Sequence, residues 1–431
     1  MRSLTRWLNK LVNLAGGLLL LLSLPAVSQS LSALSIQQAF DLSALHYPAG
    51  RRKELITEAE KLLIRTAATN RLPQLATYAQ ASYQSDVTRL DLSLPGFKAP
   101  LLSKDQYKAY ADLSQSIYDG GQFRKQRAVQ QTNSAVEQSK LDVELYSLKN
   151  RISQLYLGVL YQQELLKQTN LLLNDVRTGI SKVKPQVENG TVLRSNLLLL
   201  EAQALQTEQR AIEIYHTRKG LLDALAVLLD TTFSDSIKLE LPAPAATPTR
   251  VLARPELRLY NNQLKLLAAQ KGLADIKNRP RLAAFVQAGA GRPALNFLSN
   301  SLKGYYIGGL RLNWSLGGLY TVRQDKKLLE TNQRAVDLQK QTFVLNTAAQ
   351  LRQQEAEIRK AEALMASDSK LIQLRKQISD AAKAQLENAV ITTNDYLKEI
   401  NAEDEVRQQL IIHQIQLLQA KINWALVAGT L

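Results

Sequence analysis

The residues able to do chemistry are few and scattered. The chain has three histidines, His46, His216 and His413, and no cysteine. None of the histidines stands at a metal-ligand spacing, and without thiols neither a disulfide nor a thiolate metal site can form. Glu201, Glu208 and Glu213 fall on a heptad-patterned helix and read as solvated face charges. No Gly-rich phosphate loop occurs, and no Ser/His/Asp grouping has a recognisable setting. The sequence argues against an enzyme and calls for no cofactor. What recurs instead is a turn. Residues 188–198 read ENGTVLRSNLL, and residues 387–397 read ENAVITTNDYL.

Each turn lies between two long helical patterns. Asn189-Gly190 ends the first pattern, because glycine tolerates the left-handed backbone that closes a helix. Ser195 or Asn196 is the expected cap of the return helix. Glu188 corresponds to Glu387, Asn189 to Asn388 and Leu198 to Leu397, each 199 positions on. A turn used twice at one spacing implies a duplicated unit. The expected boundaries are a leader over 1–28, a first repeat over 29–249 and a second over 250–431.

The leader reading rests on Arg2, Arg6 and Lys10, an apolar run over 11–24, and small residues at Ala26 and Ser28. That run is short for a membrane span and fits a secretory signal. Net charge is +16, or +13 without the three leader cations. Lys and Arg are spread along the helical segments with no basic block, so nucleic acid is not the expected partner.

In chain order, Ser35 and Gln38 form a capping box that opens a helix to about residue 70, interrupted at Pro48. Two strands follow, over 74–85 and 107–118. Along the second, Tyr107, Ala109, Ala111, Leu113 and Ile117 alternate with Lys108, Asp112, Ser114 and Ser116, giving an apolar and a polar face. Strands of this length suit a bilayer, where a tilted strand needs about 9–11 residues. Gly120 and Gly121 end the strand. Leu141, Leu145, Leu148, Ile152, Leu155 and Val159 then form a heptad seam in a helix of over 60 residues, roughly 95 Å. After the tip, a return helix covers little more than half of it. The opening helix is expected to cover the rest, with Pro242, Pro244 and Pro248 in a linker at mid-height. The second half repeats each step: strands over 282–290 and 305–316, Gly317-Gly318, a long helix, a tip and a return helix. The aromatic residues of the strands, Tyr78, Tyr83, Tyr107, Tyr110, Tyr118, Tyr305, Tyr306, Phe285 and Trp314, suggest an interfacial belt. The alternative is a soluble sandwich core; if the strands lie in the membrane, four cannot close a barrel and open edges are not tolerated in lipid, so several copies must share one.

This layout, carried by SIYDGGQFRKQ at 116–126, NWSLGG at 313–318 and the two tips, resembles the TolC-like outer-membrane efflux protein family over about 29–431. The resemblance implies a mainly α protein with a membrane β-barrel. A homotrimer would form a 12-stranded barrel in the bacterial outer membrane and a 12-helix tunnel reaching through the periplasm. It implies a passive exit channel for a tripartite efflux pump or secretion system, docked to a periplasmic adaptor and, through it, an inner-membrane pump. Adaptor contacts carry over to Asn189, Gly190, Thr191, Val192 and Leu193, and to Asn388, Ala389, Val390, Ile391 and Thr392.

The family's polar entrance latch carries over incompletely. Only Asp395 keeps its acid. Asn196 stands at the matching position of the first repeat, Lys398 at a second acidic position, Leu386 at a Tyr position and Ile391 at an Arg position. The expectation is an entrance closed by apolar packing of Leu386 and Ile391, with Lys398 partly neutralising Asp395 and only weak cation block. The alternative reading is a soluble periplasmic coiled-coil scaffold, which explains the helices but not the strands.

Overall fold

Two helices set the length of the molecule in the computed structural model, which describes residues 33–87, 103–242, 252–296, 298–388 and 390–431. The leader, Pro95, Pro100, Pro244, Pro248 and Ala389 lie outside the described residues. In chain order the elements are β1 (Ala33–Leu34), α1 (Ile36–His46), a 3₁₀ turn (Pro48–Arg51), α2 (Arg52–Thr69), β2 (Gln74–Tyr83) and β3 (Asp105–Tyr118). There follow α3 (Gln122–Glu188), α4 (Arg194–Leu229), β4 (Lys238–Leu239), α5 (Pro255–Ala274), β5 (Arg281–Arg292), β6 (Lys303–Asn313), α6 (Leu319–Glu387) and α7 (Thr393–Ala428). Helices α3 and α6 have 67 and 69 residues, each about 100 Å long.

A shorter helix covers each half of these long ones. Beside the first part of α3 lies α2, with Arg52 on Glu144 at 2.7 Å and Gln138 near Thr57. Beside its second part lies α4, with Arg177 on Glu208 at 2.8 Å. The second half follows suit. Lys271 meets Glu330 at 2.6 Å between α5 and α6, and Lys421 meets Glu362 at 3.2 Å between α7 and α6. Helix α3 also packs against α5 and α7. The row of helices is therefore α2, α3, α5, α6 in one half and α4, α3, α7, α6 in the other.

Strands continue the row. The four-stranded antiparallel sheet has the order β2-β3-β5-β6, each strand joined to the helix beneath it. In register, Leu75, Leu113, Val286 and Gly308 are cross-strand partners. The apolar face carries Leu75, Tyr83, Tyr107, Leu113, Val286, Tyr306 and Leu310, all exposed in the single chain. The opposite face carries Lys108, Asp112, Gln287 and Arg311. The irregularity between Ser116 and Tyr118 turns Tyr118 to the apolar side. The belt expectation needs correcting here. Tyr78, Tyr110, Tyr305 and Phe285 share the polar face, because their positions alternate with those of the apolar set.

At mid-height the chain that follows α4 lies against α3 through β4. β4 pairs with β1, two residues each. The Tyr156 hydroxyl lies 2.7 Å from Leu34 O and 2.6 Å from Glu240 O, so its one proton is shared between the two chains where they leave this small ladder. Burial raises the Tyr156 pKa, and the nearby Glu240 carboxylate adds to the shift. Buried Arg218 donates to Asp235 O and Ile237 O. The main apolar core gathers here, around Phe40, Ile152, Leu160, Leu222 and Leu225.

Two sequence expectations fail locally. Neither Ser195 nor Asn196 caps α4. Its N-cap is Leu193, with no side-chain cap bond, and the helix is already under way at Arg194. Gly317-Gly318 does not copy Gly120-Gly121 either. Gly120 and Gly121 have φ of 69° and 87°, whereas Gly318 is right-handed at −66°. Gly318 instead lies so close to Asn278 that a Cβ there would collide with its side chain.

Candidate functional site

Three places qualify: the two tips, a groove between the short helices above them, and the polar face of the sheet. At the first tip Asn189 ends α3 with its N–H donating to Pro185 O at 2.9 Å. Pro185 therefore sits inside the last helical turn and does not end it. Gly190 follows at φ 71°, the left-handed value that lets the chain reverse before Leu193. Gln186 O then accepts from Thr191 N and Thr191 Oγ1, both at 2.9 Å, and from Val192 N at 3.3 Å. Its side chain donates to Glu387 O at 3.2 Å, tying one tip to the other. Gln186 was not anticipated; only its place one turn before the Asn-Gly could have pointed to it.

The second tip solves the same turn with side chains. Asn388 Nδ2 donates to Ala384 O at 2.8 Å, and Val390 N donates to Gln385 O at 2.8 Å. Thr392 and Asp395 form a capping box. Asp395 N donates to Thr392 Oγ1 at 3.2 Å, and Asp395 Oδ2 accepts from Thr392 N at 3.2 Å and Thr392 Oγ1 at 2.6 Å. The Thr392 hydroxyl and then its backbone N–H hold the Asp395 carboxyl below its ordinary value, and Lys398 adds a smaller pull. Asp395 is first of all a helix cap, and Lys398 stands exposed one turn further along the helix.

Exposure divides the expected contact residues. Leu193 and Val390 are 75% and 70% exposed. Val192 and Ile391 are partly buried against a core formed by Val176, Val183, Leu200, Leu386, Tyr396 and Ile400. Leu386 is buried and belongs to that core. Burial, with Asp175, Glu387 and Glu403 nearby, pushes the Tyr396 hydroxyl up to about 12. Asn196 is half-buried and donates its backbone N–H to Leu193 O.

Above this core an open polar groove of about 590 Å³ runs between α4 and α7. Gln203 donates to Asn401 at 3.4 Å and Arg210 to Gln408 at 2.5 Å. On its floor Asp404 accepts from Gln168 at 3.0 Å, and burial raises the Asp404 pKa. Of the histidines, His413 pairs with Asp368 at 2.5 Å between α7 and α6. No group of three His, Asp or Glu among the described residues is arranged to hold a metal ion. No helix among them is long and apolar enough to cross a membrane.

The fold resembles those of solved outer membrane channels. The outer membrane protein VceC from Vibrio cholerae superposes with a TM-score of 0.65 at 14% identity, covering 91% of this chain and 96% of its own. The MtrE outer membrane channel of Neisseria gonorrhoeae gives 0.66 at 17% identity, covering 91% and 88%. The CmeC outer membrane channel of Campylobacter jejuni gives 0.65 at 13% identity, covering 92% and 85%. No protein-family model matches the chain, and no curated protein matches it in sequence. The fold is that of the TolC-like outer membrane channels.

Proposed function

We propose that the protein is one subunit of an outer-membrane channel that gives substrates of an efflux pump or secretion system a passive exit. One observation carries the reading. The sheet has an apolar face exposed to its surroundings, a polar face opposite, and two unpaired edges, β2 and β6, that run in opposite directions. Opposed edges let β6 of one copy pair antiparallel with β2 of the next, and closure removes every open edge. Three copies would give 12 strands, and the helix rows beneath would give 12 helices around a periplasmic tunnel. Residues 29–249 and 250–431 would be two copies of one unit, exported behind the 1–28 leader. No cofactor and no catalytic step is required.

The bare helix edges support the same closure. On α6, Leu338 and Leu345 are exposed seven residues apart, and Leu364, Leu371 and Ile378 repeat that interval. On α4, Leu198, Leu205 and Ile212 are exposed at the same spacing. The tips, with Leu193 and Val390 outermost, would dock the helical hairpin of a periplasmic adaptor, which in turn engages an inner-membrane pump. The test is fractionation. The mature protein should travel with outer membranes and run as a trimer in mild detergent. A monodisperse monomer in detergent-free buffer would favour a soluble periplasmic scaffold and sink the channel.

A further inference from the structure

The polar face of the sheet is more specific than a water-filled lumen requires. Tyr78, Tyr110, Gly289 and Tyr305 are cross-strand partners and stand in one row. The Tyr78 and Tyr110 rings stack with centroids 5.1 Å apart. Tyr110 crosses Gly289 so closely that a Cβ there would overlap both Ala109 O and the Tyr110 side chain. One row nearer the loops stand Gln80, Lys108, Gly291 and Lys303. Lys108 Nζ lies 5.1 Å from the Tyr110 ring centroid and 5.4 Å from that of Tyr305. One ammonium thus sits over two rings. The Tyr305 hydroxyl is buried with no hydrogen-bond partner among the described residues.

Charge on this face is one-sided. Among the described strand residues, Lys108, Arg281, Lys303 and Arg311 share it, against the single carboxylate Asp112. Asp112 Oδ2 accepts from Gln287 at 3.0 Å and lies 4.0 Å from Arg311, while Oδ1 is buried with no hydrogen-bond partner among the described residues. A lumen walled by lipid and protein focuses the remaining positive field on whatever passes. A planar anion can stack on the tyrosine row while its charge meets Lys108, combining aromatic packing with a charge-assisted hydrogen bond.

We propose that the row Tyr78–Tyr110–Gly289–Tyr305, under Lys108, is a binding site for aromatic organic anions, and that the strand-lined lumen favours anions over cations. The inference rests on the channel reading above. Its test uses the full trimer in planar bilayers under a KCl gradient, with 1-naphthalenesulfonate as probe and butanesulfonate as its aliphatic control. The wild type should prefer chloride, and naphthalenesulfonate should block at concentrations several-fold below butanesulfonate. Lys108→Gln should weaken the block and the chloride preference together. Lys108→Glu combined with Arg311→Glu should reverse the preference. Tyr110→Leu should abolish the aromatic advantage and leave the reversal potential in place. Calorimetry on the detergent-solubilised trimer reads the same site without an open pore, and Lys108→Gln must weaken naphthalenesulfonate binding there. A cation-selective wild type, or block and binding indifferent to Lys108 and Tyr110, overturns the inference and leaves the channel standing. Failure to form a trimeric membrane protein overturns both.

Discussion

The two long helices are nearly equal in length and opposite in setting. Eighteen of the 67 residues of α3 are buried, but only six of the 69 in α6. Helix α3 has neighbours from both halves of the chain, α2 and α4 on one side, α5 and α7 on the other. Helix α6 is the last in the row and has neighbours on one side only. The tips differ in the same spirit. The first turns on a glycine backbone, the second on a Thr–Asp capping box. One long helix is covered on both sides by its own chain; the other is left largely bare.

Paired substitutions give the strongest test of that contrast. Val176 is wholly buried in α3, and Leu374 is 58% exposed on α6. Val176→Asp buries an unpaired charge and should leave no folded protein. Leu374→Asp should leave helical content intact and shift the trimer to monomer, read by detergent gel filtration and circular dichroism. Equal loss of fold in both variants would break the comparison.

At the tips the effect expected is functional. Gly190→Arg or Val390→Asp should abolish solute resistance while trimers still reach the membrane. Val390 is exposed, so its change disturbs no core; Gly190 has open space around it but holds φ 71°, so arginine there strains the turn itself and Val390→Asp is the cleaner variant. Unchanged solute sensitivity in both variants would count against docking there. A smaller effect separates the two turns. Thr392→Ala removes a helix cap and should cost about 1 kcal/mol, whereas Leu193→Ala, at a cap without a side-chain bond, should cost almost nothing in a thermal melt. The Asp395 pKa is depressed below 3.8 in the folded protein. Its contribution is therefore complete above that value and is lost as pH falls through the lower folded value. The Thr392→Ala deficit should shrink in acid. Smallest of all is the entrance. Asp395→Asn should change single-channel conductance less than Ile391→Gly, since Ile391 packs on the tip core and Asp395 caps a helix.

Much of the architecture could be read from periodicity. The shift from period two to heptads marks each strand-to-helix junction, and the capping box at Ser35 and Gln38 forms as expected. Faces were harder. Tyr110 stands two residues from both Lys108 and Asp112 and so lies on the polar side, yet its chemistry alone suggests lipid. Which seams are bare was not legible at all. Leu338 and Leu345 repeat the spacing of Leu141 and Leu148, but the first pair is 62% and 70% exposed and the second 2% and 7%. A heptad records that a partner helix exists, not whether it belongs to the same chain. The β1–β4 ladder is two residues per strand and has no period to detect.

The open edges of the sheet bear on how such a molecule is made. The helices can fold in water once each chain is complete, since their cores, though they join both halves, close within it. In the proposed trimer the sheet could not: its apolar face and the unpaired N–H and C=O groups of its edges would be satisfied only when other copies arrive. Completion is therefore a higher-order reaction whose rate climbs steeply with local concentration. Copies waiting for partners would be half-amphiphiles, prone to pairing wrongly with any exposed strand. Such a chain would need escorting until it assembles, and its yield should collapse first where synthesis outruns assembly.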